Sequence, residues 1–221
     1  MPTNSRNDSP LTRDRILRAA VRLADRRGIE ALSMRALGRQ LGREAMSLYN
    51  HVAGKDDLLD GIVDMVIGEI ALPGRGMSWQ EAMRKRALSA REVFARHPWA
   101  PGLIDSRLSG GPRRLRYFEA VLGTLRRAGF SVELAARAFS LIDSYLYGFG
   151  RQSLDIGAGN SGNPRAAAAF LRALPAGEFP CLAEMAASFA SGPGYDEAAD
   201  FEFGLNLILD GLQKALENGR C

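Results

Sequence analysis

The chain has 221 residues, 46% of them hydrophobic, enough to bury a core in one sizeable domain or in a small and a larger one. No apolar run approaches the ~18 residues that span a membrane, and the polar start, "MPTNSRNDSP", lacks the apolar segment of a secretory signal and reads as a disordered tail over 1–10. The two cysteines, Cys181 and Cys221, stand far apart, which argues against a disulfide scaffold or a cysteine-ligated metal site and suits a reducing, cytoplasmic setting.

The net charge of +4 is unevenly spread. Residues 1–55 hold eleven Lys or Arg against five Asp or Glu, a net +6, whereas the other 166 hold eighteen against twenty. A basic N-terminal quarter points to a polyanionic partner for that end; the alternative is a chance excess of solvated arginines.

In chain order, apolar residues recur at three and four with Gly and Pro as punctuation, and no strand pattern stands out, so the fold class is all-α. A first helix covers about 12–27, with Ile16, Ala20, Val21, Leu23 and Ala24 on one arc and Arg15, Arg18, Arg22 and Arg26 on the other. Gly28 ends it. Ser33 is the N-cap of a second helix, to about Gln40, that buries Leu37 and Leu41. Gly42 permits a tight turn, and "LGREAMSLYNHV" (41–52) supplies a third helix of two or three turns. On its wheel Ala45, Leu48 and Val52 share one side. Met46, Ser47 and Asn50 share the other, with Tyr49 and His51 flanking. A helix this short must dock through its apolar side, so Met46, Ser47 and Asn50 face outward.

Gly54 precedes a fourth helix, about 55–71, which buries Leu58, Leu59, Ile62, Val63, Val66 and Ile70. "PGRG" at 73–76 breaks the chain. A Ser78–Glu81 capping box opens a helix to about His97, and "HPWAP" stops it. Further helices are expected at about 102–107, from Gly111-Pro112 to near Gly129, and from Ser131 to about Ile156. After the loop "GAGNSGNP" (157–164) come helices at about 164–174, 180–190 and 196–217. The stretch 138–150 and the last helix, with Phe201, Leu205, Leu207, Ile208, Leu209, Leu212 and Leu216, are apolar over too much of their circumference for one buried stripe. Each is therefore a central core helix or a helix shared with a second subunit, and a homodimer is the favoured reading.

Catalytic chemistry finds little support. The chain has two histidines, no metal-ligand cluster and no glycine pattern for a nucleotide. No enzymatic activity, cofactor or metal is expected; a helical small-molecule enzyme is the alternative.

The segment "LADRRGIEALSMRALGRQLGREAMSLYNHVAGKDDLLDGIVD" (23–64) resembles the DNA-binding domain of the tetracycline-repressor (TetR) family. The likeness rests on "G-I-x-x-L-S-x-R", "L-G" at the turn, and "S-L-Y-x-H-V" closing the third helix. "RHPW", "RAGFS" and "FEFGLNLILDGL" extend it to the C-terminal domain nearest the tetracycline repressor itself. The resemblance implies a dimeric regulator of transcription, by family default a repressor and alternatively an activator, that binds palindromic double-stranded DNA and is released by a small molecule. Residues 45–51, including Ala45, Met46, Ser47 and Asn50, would lie in the major groove. Arg35 would reach a guanine, and Ser33, Tyr49, His51 and Lys55 would contact phosphate. Asn can pair with adenine and a methionine can touch a thymine methyl. The implied domains are 11–55 for DNA binding, 56–76 as connecting helix and linker, and 77–221 for effector binding and dimerisation.

Two departures stand out. Arg43 replaces a small apolar residue after "L-G". Ile104 and Gln152 occupy the places where the tetracycline repressor has the His and acidic ligands of its drug–magnesium complex, which argues against that inducer. The expected effector lining is aromatic: Trp99, Phe118, Tyr145 and Phe149. Asp143, a carboxylate on an apolar helix, needs a partner, either an internal arginine or a ligand. The alternative is that the aromatics are ordinary core and Asp143 lies at a helix edge or subunit interface.

Overall fold

The computed structural model describes residues 10–74, 76–107, 110–157, 164–175, 177–191 and 196–219; of 150–157, 164 and 166 it describes the backbone alone. The expected tail, most of the 157–164 loop, the side chain of Gln152 and Cys221 lie outside the described residues. These residues form eleven α-helices and no strand: α1 (Arg13–Arg27), α2 (Met34–Leu41), α3 (Ala45–Leu48), α4 (Lys55–Ile67), α5 (Trp79–Arg96), α6 (Ala100–Asp105), α7 (Pro112–Arg127), α8 (Val132–Gly157), α9 (Pro164–Ala173), α10 (Pro180–Ser191) and α11 (Glu197–Asn218). The backbone divides into two compact units, one ending at Tyr147 and the other beginning at Gly148.

In the first unit α1 packs on α2 and α4, and α2 on α3. The apolar arc expected for α1 is buried: Ile16, Ala20, Val21, Leu23 and Ala24 lie inside, joined by Leu17 and Ala19. Leu32, Leu37, Leu41, Leu48, Val52, Leu58 and Ile62 complete this small core. Local chemistry sets the boundaries. The Thr12 hydroxyl accepts from the Arg15 N–H, Ser33 accepts from Ala36, and Gly42 ends α2 in the left-handed region at φ 64°. Within α2, a Cβ on Gly38 would stand 2.8 Å from the Arg43 carbonyl oxygen and 3.1 Å from the Ala45 nitrogen. Only glycine lets α2 and α3 approach this closely.

The third helix is shorter than its wheel suggested. It is one α-helical turn, Ala45–Leu48, prolonged by turn hydrogen bonds from Tyr49 to Met46 and from His51 and Val52 to Leu48. With no side-chain cap from Glu44 and so few residues, the helix has little stability of its own. The fourth helix likewise ends at Ile67, beyond which the backbone tightens into turns with Glu69 donating to the Val66 carbonyl and Ile70 to that of Ile67, although Ile70 is still buried.

The rest of the first unit packs α4 against α6 and α7, and α5 against α7. The Ser78–Glu81 capping box forms in full. In the second unit α9 packs on α10, and α11 buries Phe201, Leu205, Leu209, Leu212 and Leu216. Neither suspect helix is buried all round within one chain. Phe203 is 67% and Leu207 60% exposed on α11, and Leu141 is exposed on α8.

Candidate functional site

The outward surface of the helix-turn-helix is built on α2, α3 and the start of α4. Met46 is 72% exposed, and Tyr49, Asn50, Arg35, Ser33 and Lys55 are also exposed. Ala45, Ser47 and His51 are half-buried. The Ser47 hydroxyl donates to the Glu44 carbonyl at 2.7 Å, so its proton is used to close the start of α3. Beneath them Leu48 and Val52 are buried and carry the docking.

Arg13 holds this surface in place. Its guanidinium donates to both Asp57 oxygens, each at 2.6 Å, and to the His51 carbonyl at 3.3 Å. Asp57 also accepts from the Ala53 N–H at 2.9 Å. The start of α1 is thereby clamped to the turn between α3 and α4. The hydrogen bond from Arg13 is the main reason the Asp57 carboxyl lies below its ordinary pKa; burial opposes it only in part.

Acidic residues at four-residue spacing on α4 tie that helix to the body. Arg107 pairs with Asp56 and Asp60. Asp64 is buried, and its Oδ1 accepts the backbone N–H groups of Arg113 and Arg114, each at 2.9 Å. A carboxylate from α4 thus caps the N-terminus of α7, where partial positive charge gathers. A Cβ on Gly111 would overlap that carboxylate. A second tie joins α1 to the end of α5. Asp25 accepts from the Trp99 indole N–H at 2.8 Å and lies 2.7 Å from His97 Nδ1, while His97 Nε2 is 3.3 Å from Glu69.

Deeper in the first unit lies a polar cluster. Arg86 of α5 and Asp143 of α8 form a buried ion pair with Nη1 and Oδ1 2.8 Å apart. The same Nη1 donates to the Tyr117 hydroxyl at 2.7 Å, and the Tyr147 hydroxyl donates to Asp143 at 3.1 Å. Burial pushes the Asp143 carboxyl up from its ordinary value, with Arg86 and Tyr147 offsetting part of the rise. It pushes both tyrosine hydroxyls up as well, so they stay protonated. Aromatic rings flank the pair: the Arg86 guanidinium lies 5.4 Å from the Tyr117 ring centre and 5.9 Å from that of Phe139, whose edge meets Phe118 at 5.1 Å.

The sequence agrees with this architecture along nearly its whole length. Residues 16–62 match the family model "Bacterial regulatory proteins, tetR family", and residues 72–216 match "Tetracyclin repressor-like, C-terminal domain". The chain belongs to the TetR family. An HTH-type transcriptional regulator of Saccharopolyspora erythraea is 37% identical over 210 residues, covering 94% of this chain and 87% of the relative. The HTH-type transcriptional repressor DrrR1 of Streptomyces coeruleorubidus is 35% identical, covering 95% and 80%. Among solved structures, apo ActR of Streptomyces coelicolor, 31% identical, superposes with a TM-score of 0.80 over 96% of this chain and 99% of that one. This chain is accordingly a transcriptional regulator, and TetR-family regulators bind DNA and small-molecule ligands.

Of the residues expected to line the effector site of this TetR-family chain, two share a described cluster. Phe118 and Asp143 belong to the cluster around Arg86. Tyr145 is half-buried on α8. Trp99 lies against α1 through Asp25, and Phe149, in the second unit, meets Phe201 edge-on at 5.1 Å. The partner required for Asp143 is an internal arginine, Arg86. Sequence reading missed Arg86, Arg13 and Asp64. A signal for Arg86 was present: it is the one charged residue on the apolar stripe Trp79, Ala82, Met83, Ala87, Ala90 and Val93 of α5. Ile104 is buried in α6, and its hydrocarbon side chain carries no donor atom for a metal. Among the described residues no three His, Cys, Asp or Glu side chains gather as a metal site, and no helix is long and apolar enough to cross a membrane.

Proposed function

We propose that the protein is a cytoplasmic, homodimeric repressor that binds a palindromic operator through residues 11–55 and is released by a small molecule bound within 77–221. The observation that carries this reading is the exposed row Met46, Asn50 and Arg35 above a docked Leu48 and Val52. Asn50 pairs with an adenine, Met46 packs on a thymine methyl and Arg35 reaches a guanine. Ser33, Tyr49, His51 and Lys55 hold phosphates, while Ala45 and Ser47 let the backbone approach the groove. Two copies place their third helices about one DNA turn apart. The apolar row Phe203, Leu207 and Gly211 on α11 supports the dimer, since it is exposed in one chain and a two-fold axis would cover it with its own copy.

Release follows from differential binding. An effector that prefers a dimer with a different spacing drains the DNA-bound form, and DNA weakens the effector by the same factor. The helix α4, with Lys55 at one end and Asp64 fixed to α7 near the other, transmits the change. The cluster of Arg86, Asp143 and Phe118 is the effector's docking point. ActR, similar over nearly its full length, has been crystallised in complex with actinorhodin and with (S)-DNPA, which supports a small-molecule ligand for this chain.

The test is selection of bound sequences from random DNA with the purified full chain. A palindrome with half-sites one turn apart is expected. Asn50→Ala and Arg35→Ala should lower discrimination against random DNA, and Lys55→Ala should weaken both and flatten the salt dependence. Selection of unrelated, non-palindromic sequences refutes the reading.

A further inference from the structure

Arg86 is the most deeply buried charged residue among those described, at 1% exposure. Its hydrogen bonding is one-sided. Nη1, the nitrogen on the side of the stem, faces both Tyr117 and Asp143. Nε and Nη2 are buried and have no hydrogen-bond partner among the described residues. These two atoms share the other edge of the guanidinium, where their N–H bonds run parallel. That edge is the fork that grips a carboxylate through two parallel hydrogen bonds. Charged donors left without acceptors keep their full desolvation penalty. Among the described residues, an acceptor and a counter-charge reach the stem-side nitrogen alone. Aromatic rings stand beside the guanidinium: its central carbon lies over the rings of Tyr117 and Phe139, and Phe118 meets Phe139 at 5.1 Å.

We infer that the effector is an aromatic carboxylic acid, its carboxylate held by the Nε–Nη2 edge of Arg86 and its ring system set against Tyr117, Phe139 and Phe118. This rests on the effector-site reading above and adds the chemical class of the ligand. Asp143 has a defined part in it. Its carboxylate lies on the neighbouring nitrogen, balances the Arg86 charge, and repels the incoming anion. Arg86 and Asp143, partners in the core, therefore act on ligand binding with opposite sign. If ordered water is the acceptor and the pair is purely structural, that opposition is missing.

Titration calorimetry of the full chain with 1-naphthoate, 2-naphthoate and anthracene-9-carboxylate, each beside its methyl ester, tests this. At least one acid should bind about tenfold or more tighter than its ester, as two charge-assisted hydrogen bonds imply. Arg86→Met should erase the difference, and Arg86→Lys, which keeps the charge but not the fork, should erase most of it. Asp143→Asn should tighten the acid about threefold or more and leave the ester unchanged. If circular dichroism shows Arg86→Met unfolded, the Lys and Asn variants decide. Acids and esters bound alike, no acid bound, an acid preference that survives loss of Arg86, or an acid weakened by Asp143→Asn each overturn the inference. Operator release is scored in parallel. A neutral compound that releases the operator while the acids do not leaves ligand-controlled regulation standing and removes the carboxylate. An acid that binds through Arg86 without changing operator affinity removes the effector role.

Discussion

Replacing Asp64 measures the joint between α4 and α7 directly. Its Oδ1 takes two backbone N–H groups at 2.9 Å, and Oδ2 lies 3.5 Å from the Arg113 guanidinium. A helix's first N–H groups have no partner within the helix. Hydrogen bonds to a charged acceptor contribute ~1.5–3 kcal/mol each. Arg113 lies at the surface, so water recovers part of the loss, and Asp64→Ala should cost about 3 kcal/mol. Asp64→Asn keeps an acceptor and gives up only the charge at the helix terminus, about 1 kcal/mol. Urea unfolding of the full chain reads both. Operator binding with and without effector reads a second consequence: Asp64→Asn should shrink the difference between the two states, because α7 also carries Tyr117 and Phe118. Equal losses for Ala and Asn, or losses under ~0.5 kcal/mol, the size of an ordinary surface substitution, would refute the capping argument.

Three other outcomes are expected. Gly38→Ala drives a methyl into the Arg43 carbonyl and should cost ~1–3 kcal/mol; thermal melting would show it, and operator affinity should fall further than stability alone explains. The Arg13-bound Asp57 titrates below its ordinary range, so its contribution is complete above about pH 4 and is lost as acid protonates it in the folded state. Melting temperature followed from pH 6 to 3 should therefore fall less steeply in Asp57→Asn than in the parent. Phe203→Asp together with Leu207→Asp should yield monomers in analytical ultracentrifugation and abolish operator binding while helical content persists.

The helices were legible because the apolar period, the caps and the glycines act locally. Ser33, Gly42 and the Ser78–Glu81 box each end or start a helix where the sequence reading put the boundary. The length of α3 was not legible, since its wheel pattern continues through Val52 while the backbone turns more tightly after Leu48. Outward residues such as Met46 and Asn50 could be read from that wheel. Contacts between distant segments could not. Arg13 with Asp57 and Asp64 with the start of α7 join residues more than forty positions apart, and each looks like an ordinary surface charge in its own helix. Arg86 and Asp143 are intermediate. Each breaks an apolar stripe with a charge, and opposite signs on two such stripes mark a pair before any coordinates exist.

The brevity of α3 carries an evolutionary consequence. Its shape is borrowed from Leu48, Val52 and the glycine behind it, while the Met46 and Asn50 side chains are exposed. Those two positions are free to drift at almost no thermodynamic penalty. If, as proposed, they read base edges, a lineage acquires new target promoters through a couple of codon changes, with the packing beneath them inherited intact.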